Sequence, residues 1–191
     1  MNGPPAVENI ASRLPPKGRL IGVDLGAKTI GLALSDVERS LASPLKALKR
    51  VSFVKSADAL LAACSEYSVV GLVIGLPLDL EGRDTPSAQS ARAFGQNLAT
   101  KTDLPIAFWD ERFSTAATQR SLIEKDVSRA RRAQVIDKMA AAYILQGALD
   151  RLAAISQQPR SMRISKESCC AARGSLKERA SRGRDRRRNL E

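Results

Sequence analysis

Residues 19–35, RLIGVDLGAKTIGLALS, decide the fold. Arg19 to Leu25 is an almost continuous apolar run that stops at Gly26, and Ile30 to Ser35 resumes the pattern, so two strands meet across a short turn. A polar-alternating segment near Leu45 to Val51 adds an edge strand. Three strands with such short connections predict an antiparallel meander. Downstream the period changes. Ala59, Leu60, Leu61 and Ala63 fall at helical spacing within Lys55 to Tyr67, and Val69 to Ile74 (VVGLVI) is apolar enough to be a strand covered on both faces. Residues 75–87, GLPLDLEGRDTPS, read as a loop with a structural turn at Gly75 to Pro77 and solvated acids at Asp79 and Asp84. A helix follows over Ala88 to Thr100, with Ala91, Phe94 and Leu98 on one face. Leu104 to Trp109 is a short buried strand. Ser114 or Thr115 caps a helix to about Glu124, and Arg132 to about Ala154 forms a long last helix. The order βββαβαβαα is an α/β pattern with a mixed sheet, its later strands linked by right-handed helical crossovers.

Composition limits the chemistry. The 191 residues include no histidine and three cysteines, with 31 Lys plus Arg against 20 Asp plus Glu for a net charge of +11. Without His there is no Ser-His-Asp or Cys-His triad and no His-containing zinc site. Cys64 stands alone and Cys169 adjoins Cys170, so no C-x-x-C pair exists for zinc or disulfide exchange, and a reduced, cytoplasmic setting is expected. No signal-type apolar run opens the chain, and no stretch approaches the length of a membrane span, so no membrane partner is expected. Prolines 4, 5, 15 and 16 mark residues 1–18 as a flexible leader, and 19–155 as the folded domain. Eleven of the basic residues but only four of the acidic ones lie in Ser156 to Glu191. That segment lacks a periodic apolar pattern, and it reads as a disordered basic tail, either an electrostatic arm for a polyanion or a solvated extension.

Three acids stand where apolar residues are the default. Asp24 interrupts the most apolar strand, and a buried carboxylate is costly unless paired, hydrogen-bonded or metal-bound. Backbone N–H groups of residues 26–28 are an alternative partner. Glu111 directly follows the strand LPIAFW, at the end of a parallel strand where ligands usually bind in open α/β sheets, although an ordinary surface pair with Arg112 fits the same spacing. Asp137 begins a helical stripe that continues through Ala140, Ala141, Ile144 and Ala148. The helix macrodipole favours an acid in the first turns, which accounts for its place along the helix but not for its face. Acids on a central strand, a strand end and a core-facing helix suit one or two Mg²⁺ ions, which take oxygen ligands and bind through few carboxylates plus substrate phosphates. Such centres hydrolyse phosphodiesters without histidine.

Four segments, GVDLGAKTIGLALSD (22–36), VIGLPLDLEGRDTPSAQSARAF (73–94), WDERFSTAAT (109–118) and VIDKMAAAYILQ (135–146), resemble in order the motifs of the YqgF family. Its members are described as Holliday junction resolvases and as pre-16S ribosomal RNA nucleases. The resemblance covers about Arg19 to Leu152 and implies a ribonuclease H-like fold, a five-stranded mixed sheet flanked by helices. It implies an acidic centre of Asp24, Glu111 and Asp137, binding Mg²⁺ or Mn²⁺. Gly22 and Gly26 then let the backbone pass close to substrate or metal, and Lys28, Arg112, Ser114 and Thr115 become phosphate contacts. The implied partners are nucleic acid, either precursor ribosomal RNA or branched DNA, together with ribosomal or transcription proteins. Three acids make a sparser centre than the four of a junction resolvase, which weakens the junction-cutting reading, and by resemblance alone maturation of the 5′ end of 16S RNA is preferred. Two rivals remain. One is a catalytically idle nucleic-acid-binding module. The other is an actin-like ATPase suggested by G-V-D-L-G, for which about 135 folded residues leave no second lobe.

Overall fold

A computed structural model describes residues 6–113 and 129–157, with side chains given through Arg112 and again from Lys138. Its elements are α1 (Val7–Ile10), β1 (Arg19–Leu25), β2 (Thr29–Ser35), β3 (Ala42–Lys49), α2 (Phe53–Glu66), β4 (Val69–Leu76), α3 (Pro86–Ala99), β5 (Ile106–Asp110), a 3₁₀ turn (Glu111–Phe113) and α4 (Arg129–Gln157). The five strands form one sheet in the order β3-β2-β1-β4-β5. β1 pairs antiparallel with β2, and β2 with β3, whereas β1 with β4 and β4 with β5 run parallel. This is the five-stranded mixed sheet flanked by helices that the motifs lead one to expect.

The period of two along each strand sends its side chains to two cores. Ile21, Val23, Ile30, Leu32, Leu72, Ile74 and Phe108 meet Leu60 of α2 and Ala91, Phe94 and Leu98 of α3. On the opposite face Leu20, Ala33, Val73 and Ala107 meet Ala141, Ile144, Leu145, Ala148 and Leu149 of α4. Both faces of β1 and β4 are therefore covered, which is why their sequences are nearly unbroken apolar runs.

Several boundaries shift for physical reasons. β3 starts at Ala42, because Ala42 N donates to Gln146 Oε1 of α4 at 2.9 Å and a register irregularity at Leu32/Ala33 of β2 accommodates Pro44. α2 starts two residues earlier than the apolar spacing indicates, since Ser52 Oγ accepts from Lys55 N at 3.4 Å. Residues 7–10, expected within a flexible leader, are instead the helix α1, whose Val7 and Ile10 are buried in the α4-facing core. Arg151 Nε donates to Glu8 Oε1 at 2.7 Å, and Ala6 forms a parallel bridge to Phe108. Pro4 and Pro5 give no hint of this apolar anchor. One compact unit runs to Ala153, and α4 continues to Gln157. The proposed tail lies outside the described residues from 158 onward, as does the helix expected from Ser114 or Thr115.

Candidate active site

The face of the sheet that receives α4 also carries the acids. Leu20, Gly22 and Asp24 alternate onto that face of β1, Val73 and Gly75 onto that of β4, and Ala107 and Trp109 onto that of β5. In the parallel register Val23 pairs with Ile74, so Asp24 lies alongside Gly75 one step further on. Gly75 in turn pairs with Trp109, and Glu111 follows just beyond the end of β5. A Cβ on Gly75 would stand 2.6 Å from Glu111 Oε1 and 2.5 Å from Ile144 Cδ1. The missing methyl is therefore a slot into which the Glu111 carboxylate projects over β4, toward the strand that bears Asp24. Glu111 is 8% exposed and Asp24 half-buried. Gly75 belongs to β4 rather than to a turn, and its value to the site is invisible in sequence, because the atoms that need its space come from residues 111 and 144.

α4 approaches so closely because Gly22 lacks a side chain. A Cβ there would meet Leu145 Cβ at 2.7 Å and the Ala141 carbonyl oxygen at 2.8 Å. Gly22 thus serves helix packing rather than approach of substrate. Asp137 lies on α4 one turn before Ala141, and its side chain is outside the described residues. Asp24 and Glu111 lie at the carboxyl ends of β1 and β5, and Asp137 is carried on α4.

Of the expected phosphate contacts, Lys28 is exposed in the β1–β2 turn. Arg50 stiffens that turn. Its backbone N–H donates to the Lys28 carbonyl at 2.9 Å, Nη1 to the Gly26 carbonyl at 2.8 Å, and Nη2 to Ser90 Oγ of α3 at 2.7 Å. Gly26 serves that tight turn, since a Cβ would stand 2.9 Å from the Thr29 carbonyl oxygen. Arg112 pairs with Asp110: Nη2 lies 2.7 Å from Asp110 Oδ2 and the backbone N–H donates to Asp110 Oδ1 at 3.0 Å. The hydrogen bonds and charge of Asp110, with the charge of Asp79, hold the guanidinium above its ordinary pKa. Asp110 thereby fixes the turn that carries Glu111. Ser114 and Thr115 lie outside the described residues.

Asp79 and Asp84 are engaged rather than solvated. Asp79 binds Arg83 Nε at 2.9 Å and its backbone N–H at 2.7 Å, which hold its carboxyl below the usual carboxylate range, and Asp84 binds Arg92 Nη2 at 2.9 Å. Among the described residues no group of three His, Cys, Asp or Glu gathers to hold a metal; Glu111 stands against Gly75, the β4 residue alongside Asp24. Carboxylate oxygens are the donors that fit a hard cation.

Comparison with known proteins matches residues 18–151 to the RuvX family, described as Holliday junction resolvase. A Bradyrhizobium protein named "Putative pre-16S rRNA nuclease" is 59% identical over 145 residues, 76% of this chain and 90% of its own length. A Paracoccus denitrificans protein of the same name is 56% identical over 146 residues, 76% of this chain and 92% of its own. The solved T. thermophilus RuvC in complex with Holliday junction substrate aligns over 71% of this chain and 96% of its own, with TM-score 0.46 and 12% identity.

Proposed function

Because the chain belongs to the RuvX family of nucleases, we propose that it is a metal-dependent phosphodiesterase that matures the 5′ end of precursor 16S ribosomal RNA in the cytoplasm. The observation that carries the chemistry is the placement of Glu111 against Gly75, the β4 residue one step beyond the Val23–Ile74 pair and so alongside Asp24, at the carboxyl ends of the parallel strands. Asp24, Glu111 and Asp137 would hold Mg²⁺ or Mn²⁺. Bound there, the cation supplies an acidified water and neutralises charge building on the phosphate oxygens. The chain's own residues do the rest. Burial of Glu111 under α4 keeps its carboxylate in one place, and Asp110 fixes the turn beneath it. Lys28 and Arg112, with Ser114 and Thr115, would hold the flanking phosphates as cationic and hydroxyl donors. No side chain here has an unperturbed pKa near 7, so proton transfer falls to carboxylates and water.

The family's description favours a second reading, cutting of branched DNA. Both are tested by incubating the purified protein with precursor 16S RNA, single-stranded RNA and a four-way DNA junction. The expected result is cleavage of the RNA precursor with Mg²⁺ or Mn²⁺, abolished by a chelator and not supported by Ca²⁺, whose looser coordination misplaces the attacking water. Junction cleavage alone would select the second reading. Binding without any cutting would leave a nucleic-acid-binding module.

A further inference from the structure

The loop between β4 and α3 is braced on every side, yet its tip is apolar and bare. Leu80 is 97% exposed. Below it, Leu78 and Asp84 form an antiparallel bridge, Asp79 N donates to the Arg83 carbonyl at 3.1 Å, and Gly82 N donates to the Asp79 carbonyl at 3.0 Å. Arg83 spans Asp79 at 2.9 Å and Glu81 at 2.8 Å, while Thr85 Oγ1 donates to the Pro77 carbonyl at 2.6 Å. Gly82, at φ +83°, presses on the rest of the site: a Cβ there would stand 2.8 Å from Arg112 Nη1. Arg112 directly follows Glu111, so the braced loop touches the side chain of the residue next to that acid.

Building on the nuclease reading, we propose that Leu80 is a wedge that packs against an unstacked nucleobase next to the bond being cut. The loop's ion pairs make this workable, because the three acids around the tip, Asp79, Glu81 and Asp84, share the two arginines Arg83 and Arg92, which leaves one net negative charge rather than three facing a phosphate backbone. Bracing also removes most of the ordering cost that a loose loop would incur on binding. A single leucine is too small an area for a protein partner or a lipid surface, which need extended apolar patches. It matches one base face, and aliphatic side chains are used as wedges between bases in this way. RNA and DNA offer the same face, so the proposal is to a nucleobase, and the sugar is left to experiment.

The test uses the full chain, Leu80→Ser and Leu80→Met. Each is mixed, without divalent cation, with precursor 16S RNA or a four-way DNA junction carrying 2-aminopurine, and cleavage kinetics are then measured with Mg²⁺. A wedge predicts a fluorescence change on binding that Leu80→Ser abolishes, with affinity about tenfold weaker, equivalent to about 1.4 kcal/mol. KM should rise more than kcat falls, melting should be unchanged, and Leu80→Met should restore the signal. The arm that carries the effect identifies the nucleic acid. Cleavage by the unaltered chain with the same affinity and fluorescence in Leu80→Ser overturns the wedge alone, whether or not the leucine serves a protein partner. Failure of the unaltered chain to bind or cut either substrate overturns the nuclease reading and the wedge together.

Discussion

At Gly75 one hydrogen atom stands where any other residue would put carbon against both Glu111 and Ile144. Gly75→Ala should therefore cost about 1–3 kcal/mol in unfolding experiments, the usual range for overpacking, and should reduce cleavage beyond what the drop in stability explains. Asp24→Asn is the complementary case. It keeps the shape and removes the charge, so cleavage should fall to background while the melting temperature holds or rises, because one repulsion between neighbouring acids is relieved. Full activity in the purified variant would refute the role of Asp24. These two residues differ in how visible they are. Asp24 announces itself as a charge inside an apolar strand. Gly75 resembles any loop glycine until the parallel register sets it beside Trp109 and brings Glu111 across it.

Elements are legible in proportion to the length of their apolar pattern. β1 matches its expected range because Arg19 to Leu25 is covered on both faces, whereas β3, an edge strand with partly exposed side chains, starts three residues before the position its pattern suggests. The start of α3 depends on a cap rather than on periodicity. Thr85 Oγ1 accepts from Ala88 N at 3.0 Å while donating to Pro77, so one hydroxyl both starts the helix and closes the loop under Leu80. Thr85→Ala should lower stability by about 1 kcal/mol, read from the urea midpoint at unchanged slope, and Thr85→Ser should recover most of it. The loop itself reads as loosely solvated in sequence, since its pairing of Asp79 with Arg83 and Asp84 with Arg92 rests on a fold-specific turn that composition does not encode.

On the scale of the molecule, charge is concentrated at the carboxyl end, where eleven basic residues follow Ser156. If these bind phosphates, ending the chain after Gln157, the last residue of α4, should weaken RNA binding across sequences. It should also flatten the salt dependence by roughly 0.7 log units per decade for each phosphate no longer neutralised. The saturated cleavage rate should hold, because all three proposed ligands lie upstream. At the other end, burial pushes the Glu8 carboxyl up, but its bond to Arg151, a backbone bond and the Arg151 charge outweigh this and leave it below its ordinary value. A depressed carboxylate stabilises the fold above the unfolded pKa and loses that contribution as pH falls through the folded one. The melting difference between the chain and Glu8→Gln, open at pH 7, should therefore close as the pH drops below about 4.

The parallel bridge from Ala6 to Phe108 lies along the outer side of β5, the last strand of the sheet. An outer strand left bare offers its N–H and C=O groups to any other chain that arrives. Residues 6–17 precede the match to the family, which begins at residue 18, yet they occupy part of that border with their own backbone and pin themselves by Val7 and Ile10. Trimming the protein to the matched region would uncover the border together with the apolar seat of α1. The consequence is colloidal rather than catalytic: the shortened chain should pair edge to edge with copies of itself as concentration rises, before any loss of chemistry is detected.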